Sequence, residues 1–148
     1  MIKRAFVCAV LAACAASPAL ALEHEVVIDH AGGPIAADYR GAVTIETKQV
    51  GTASAAGRPS TLRCQWTASL NVERVAKVGA GLQSLRTLTT DDVTGGSKPG
   101  WCPTKPQALD KFVDARDARF KAALLALVDQ DRATLLAEAD NAKAMIRG

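Results

Sequence analysis

Residues 62–73 read Leu-Arg-Cys-Gln-Trp-Thr-Ala-Ser-Leu-Asn-Val-Glu. Leu62, Cys64, Trp66, Ala68, Leu70 and Val72 fall on one side of a two-residue alternation. Arg63, Gln65, Thr67, Ser69, Asn71 and Glu73 fall on the other. Successive side chains of an extended chain point to opposite faces, so this stretch predicts a half-buried strand. A strand with one polar face belongs in an antiparallel sheet covered on one side only. The rest of the chain has to supply its neighbours and its cover.

Working upstream, Ile35, Ala37, Tyr39, Val43 and Ile45 alternate with Asp38, Arg40, Thr44, Glu46 and Lys48, which predicts a second strand. Gly41 interrupts that alternation and marks a candidate bulge. Residues 25–30 predict a short first strand, and Ala31-Gly32-Gly33-Pro34 a turn. Thr52 to Ser60, rich in Ala, Ser and Gly, reads as a loop. Downstream, Gly79-Ala80-Gly81 lets the chain reverse, and Leu82 to Thr90 is a fourth strand, although its leucines recur three apart. Asp91 to Gly100 reads as a loop.

The cover comes from the C-terminal segment. Thr104-Lys105-Pro106-Gln107 carries a Thr cap, Pro in the first turn and Gln three residues after the cap. Leu109, Phe112, Val113, Phe120, Leu124, Leu127, Val128, Leu135, Ala139, Ala142 and Ile146 then recur at helical spacing. Forty residues of straight helix would run about 60 Å, whereas a rounded domain of this size is roughly 35–40 Å across. The helix must overhang, pair with another chain or break. Asp129-Gln130-Asp131 is the expected site of a kink or helical hairpin, because Asp favours caps over helix interiors. The fold class is therefore α+β: an antiparallel sheet of about four strands covered on one face by a long C-terminal helix or helical hairpin. Residues 22–103 form the sheet portion and 104–148 the helical portion of one domain.

Composition agrees with a single small domain. The chain has 148 residues, 49% of them hydrophobic, too apolar for a disordered segment. No run of about 18 apolar residues offers a membrane-spanning helix. Lys3 and Arg4, the apolar stretch Ala5–Ala16 and the small-residue site Ala19-Leu20-Ala21 have the order of a secretory signal peptide over residues 1–21. Cleavage after Ala21 would start the mature chain at Leu22. Leu11-Ala12-Ala13-Cys14 offers an alternative, a lipoprotein site with a lipid anchor on Cys14. The expected location is periplasmic or secreted. Loss of Lys3 and Arg4 takes Lys+Arg from 18 to 16 against 15 Asp+Glu, so the net charge drops from +3 to +1. A near-neutral chain has no long-range field to gather nucleic acid.

Cys8 and Cys14 lie in the signal, which leaves Cys64 and Cys102. Two cysteines in an exported chain are most simply one disulfide. A redox pair needs Cys-x-x-Cys, and position 105 is Lys. The bridge should contribute about 3–4 kcal/mol by restricting the unfolded chain, and Trp66 and Trp101 are expected to pack around it.

Candidate chemistry is sparse. His30 could act as a base beside Ser60 or Ser69 in a small periplasmic hydrolase, but nothing in the sequence pairs them. Asp91, Asp92, Thr94 and Gly95-Gly96 offer too few oxygens for calcium and read as a solvated turn. Leu22-Glu23-His24, if it begins the mature chain, resembles the amino-terminal copper- and nickel-binding motif. There the amine, two deprotonated amides and the imidazole place four nitrogens in a square plane suited to Cu(II) or Ni(II). The leading expectation is a small exported, non-catalytic envelope protein with no cofactor. It would bind another macromolecule or assemble with itself through the C-terminal helix. Cu(II)/Ni(II) capture and a hydrolase are the alternatives.

Overall fold

The computed structural model describes residues 22–78 and 81–148. The expected signal-peptide and lipoprotein sites lie outside the described residues, as do Gly79 and Ala80 of the expected reversal. Four strands, β1 (Leu22–Ile28), β2 (Ile35–Val50), β3 (Arg63–Val78) and β4 (Leu82–Pro99), form one antiparallel sheet in the order β1-β2-β3-β4. A 3-10 turn at Pro106–Leu109 leads into α1 (Asp110–Asp114) and α2 (Asp117–Arg147). The architecture is the α+β arrangement that the alternation of β3 requires.

The alternation of β3 is realised on both faces. Cys64, Trp66, Ala68, Leu70 and Val72 are buried, while Arg63, Gln65, Thr67 and Glu73 are exposed. Ile35, Ala37 and Tyr39 of β2 join them beneath α2, which contributes Phe120, Leu124, Leu127, Val128, Leu135 and Ala139. These helix positions recur three and four apart and form one stripe facing the sheet.

Three expectations are corrected. Gly41 is not a bulge: its register continues as Leu22↔Gly41 on one side and Gly41↔Val72 on the other. A Cβ there would sit 3.0 Å from Leu22 Cβ and 3.1 Å from Leu70 Cδ1, so glycine lets those leucines meet over the strand. The irregularity lies instead in β4. The partners of β3 step from Ala68↔Thr94 to Leu70↔Thr90, so Asp91–Val93 bulge opposite Ser69. Asp92 has φ 51° and its amide donates to Ser69 Oγ at 3.3 Å. The turn chemistry of Asp91-Asp92 is therefore spent within a strand, and Asp91–Gly100 is not a loop: β4 runs on to Pro99. Gly96 faces Trp66, and a Cβ at Gly96 would lie 3.0 Å from Trp66 Nε1.

The helix does not break at Asp129–Asp131. It breaks at Ala115–Arg116, between α1 and α2, and then runs unbroken to Arg147. Its 31 residues extend about 46 Å. The long strands, of 16 to 18 residues, extend about 50–60 Å. A rounded outline was the wrong premise, because the sheet is long enough to back the helix from end to end. At the break, the Arg116 guanidinium donates to Phe112 O at 2.8 Å and lies 5.0 Å from the Trp66 ring centroid.

Candidate functional site

Cys64 and Cys102 are bonded, with Cα atoms 4.7 Å apart. The bridge ties the inward face of β3 to the segment that precedes the helices. Gln49 of β2 reinforces the junction. Its amide nitrogen donates to Arg63 O at 3.0 Å and Gly100 O at 3.2 Å, and its oxygen accepts from Cys102 N at 2.6 Å. Trp66 is buried near the bridge, but Trp101 is not packed around it: 70% of Trp101 is exposed. Its neighbour Gly100 has φ 96°, and the turn carries the indole outward.

His30, after β1, bonds through Nε2 to Asp140 Oδ1 at 2.8 Å and accepts the Gly32 amide on Nδ1 at 3.1 Å. Those bonds place the proton on Nε2. Neither serine is its partner. Ser60 Oγ bonds Thr52 O and Leu62 N, and Ser69 Oγ accepts from Asp92 N.

A larger polar constellation lies between the sheet and α2. Arg74, two positions beyond Val72 in the same alternation, is fully buried, and Asp131 is 2% exposed. Arg74 Nη1 donates to Asp131 Oδ2 at 2.8 Å, and the Tyr39 hydroxyl donates to the same oxygen at 3.0 Å. Arg74 Nη2 donates to Glu138 Oε2 at 2.7 Å and to Ser84 Oγ at 2.8 Å, and Ser84 donates to Glu138 at 2.6 Å. Arg86 Nη1 stands 3.3 Å from Asp131 Oδ1. That contact is electrostatic only, because Asp131 Oδ1, like Arg74 Nε, has no aligned hydrogen bond among the described residues. The remaining bonds join β2, β3, β4 and α2, so the constellation reads as a clamp that fixes where α2 sits along the sheet. Buried ion pairs add little net stability but are costly to break singly.

Burial, and then the Asp131 carboxylate, push the Tyr39 phenol up from its ordinary value. Its neutral form is favoured by folding. The corresponding stability is fully present below about pH 10, the ordinary phenol value, and is lost as pH rises through the raised folded value. Tyr39 is the one tyrosine of the chain. Above about pH 10 the stability advantage of the wild type over Tyr39→Phe is expected to shrink by about 1.4 kcal/mol per pH unit. Denaturant titrations at stepped pH check this, and the phenolate absorbance band reports the one phenol directly.

Leu22, Glu23 and His24 open β1, paired with Gly41, Arg40 and Tyr39, and the Leu22 side chain is buried. Successive amides of a strand point in opposite directions, whereas the copper motif turns them all toward one ion. Metal capture would require residues 22–24 to leave the sheet. With Leu22 as first residue, folded chain is expected to bind Cu(II) more weakly than free Leu-Glu-His in a competition titration. Among the described residues no three His, Cys, Asp or Glu side chains converge as metal ligands.

A cavity of about 310 Å³ is lined by Leu22, Glu23, His24, Lys121, Leu124 and Leu125. Its walls come from β1 and α2 with none from β2, so it borders the free edge of β1. That volume is at the small end of ligand pockets, about 300–1,000 Å³. No protein-family model, curated protein or solved structure matches the chain.

Proposed function

We propose that the chain is an exported, non-catalytic envelope protein that binds another macromolecule, and that it does so at the free edge of β1. The carrying observation is the coincidence of a strand edge that no strand among the described residues pairs with an open cavity whose wall includes Leu125, 48% exposed. An edge strand presents backbone N–H and C=O groups that another chain can pair, and an adjoining apolar cavity gives such a chain a side-chain anchor. The Cys64–Cys102 bridge suits an oxidising compartment. Among the described residues no helix is long and apolar enough to cross a membrane.

Assembly through the helix has less support. The apolar stripe of α2 is already packed on its own sheet. Its outward positions through the middle of the helix include Ala122, Ala126, Asp129, Ala133 and Ala137, all exposed and small or polar. Its large exposed apolar residues, Leu125, Met145 and Ile146, stand far apart toward its two ends and form no continuous stripe for a second helix.

The test is the native size of the chain extracted gently from its own cells. The wild type is expected to run as a complex, and Leu125→Asp to run at the size of the free chain. Ala133→Asp, on the outward side of the same helix, is expected to behave like the wild type. A wild type that runs at its free size, or equal release by both substitutions, would remove the reading.

A further inference from the structure

We infer that the occupant of the β1 edge is an extended segment of a partner protein, with apolar and basic residues in alternation, added as a fifth strand. The inference rests on the edge-binding reading above and specifies its partner. It follows from what each face of β1 presents. On the inner face, Leu22 and His24 border the cavity closed by Leu124 and Leu125. On the outer face stand Glu23 and Glu25, both exposed; in the register Arg40 lies directly across from Glu23, whereas Asp38 lies directly across from Glu25, so three carboxylates share this face with one guanidinium.

Like charges directly opposite one another destabilise a sheet. Among the described residues no ion pair involves Glu23, Glu25 or Asp38. A strand laid on the free edge sets its side chains about 4.5–5.5 Å from those of β1. Its outward residues would stand beside Glu23 and Glu25, and a Lys or Arg beside Glu25 relieves the repulsion between Glu25 and Asp38. Its inward residues would face α2, where an aliphatic side chain enters the cavity. The two-residue period of the incoming chain is thus dictated by the pleat.

Two alternatives fit less well. A second copy pairing antiparallel through all of β1 sets Glu25 against Glu25, and a shift that centres the pair on His24 sets Glu23 against Glu25. Either register stacks carboxylates on one face. The opposite edge, β4, carries the Asp91–Val93 bulge, Lys98 and Pro99, features that discourage strand addition. β1 has no Pro, Lys or bulge.

The test uses the full chain and three synthetic seven-residue peptides with blocked ends: alternating Lys and Leu, alternating Glu and Leu, and a block-ordered Lys/Leu peptide of the first composition. Affinity is read by calorimetry and location by amide hydrogen exchange. The alternating Lys/Leu peptide is expected to slow exchange within residues 22–28 and to bind at least about tenfold tighter than the other two. The pair Glu23→Lys with Glu25→Lys should reverse the preference toward the Glu/Leu peptide, and Glu23→Gln with Glu25→Gln should abolish it. If the Glu/Leu or block-ordered peptide protects β1 equally well, the basic-strand inference fails while edge binding stands. If none of the three slows exchange in β1, both fail.

Discussion

Asp131→Ala is expected to lower stability by about 3–5 kcal/mol, because it leaves the Arg74 guanidinium buried with half its compensation gone. The Tyr39 hydroxyl loses its acceptor in the same step. Against a total stability of about 5–15 kcal/mol for a domain of this size, that is a large share. The melting temperature should fall by roughly 10 °C or more. Asp129→Ala, two residues earlier in the same helix and exposed, should stay within about 0.5 kcal/mol of the wild type. Replacing both partners, Arg74→Met with Asp131→Leu, should recover part of the loss, since the buried guanidinium is no longer stranded while the Tyr39 hydroxyl still lacks its acceptor. Chemical denaturation of the four proteins checks the set. Equal effects at 129 and 131 would mean that the clamp does not form.

The second large effect belongs to the disulfide. Cys64→Ser with Cys102→Ser is expected to cost about 4 kcal/mol, the loop-closure value for a bridge spanning 38 residues. The effect acts mainly through the unfolded chain. A local consequence accompanies it: without the bridge, the Cys102 backbone is held to the end of β2 through its amide bond to Gln49. Faster amide exchange should therefore appear first around residues 100–109. Melting of the wild type with and without reductant checks the magnitude, and an unchanged midpoint would contradict it.

Much of the fold was legible because residues 62–73 obey a two-residue alternation without exception, which points to an antiparallel sheet with one open face. The pairing of Cys64 with Cys102 follows from counting the cysteines outside the expected signal peptide. Two of the corrected expectations share one physical source. Asp91-Asp92 and Asp129–Asp131 were read by local preference, under which Asp ends regular structure. In both places a tertiary partner outweighs that preference: Ser69 accepts at the bulge, and Arg74 with Tyr39 receives Asp131 inside the core.

The clamp nonetheless left a signal. Extending the β3 alternation one step past Val72 places Arg74 on the inner face. Counting the helix stripe from Leu124 and Leu127 to Leu135 places Asp131 within it. Opposite charges on two facing buried surfaces point to an ion pair, whatever their helix or strand propensities. The edge cavity had no such signal, because Leu22 and Leu125 meet only through the tertiary packing of β1 against α2. The corner at Ala115–Arg116 is likewise set by Trp66, which the sequence places on a distant strand.

The most direct measurement is site-specific photo-crosslinking in intact cells, with the photoreactive residue at Leu125 and, separately, at Ala133. The account predicts that Leu125 joins the chain to one partner protein, through a segment of alternating apolar and basic residues, while Ala133 gives no such product. No product from Leu125, or the same products from both positions, would contradict it.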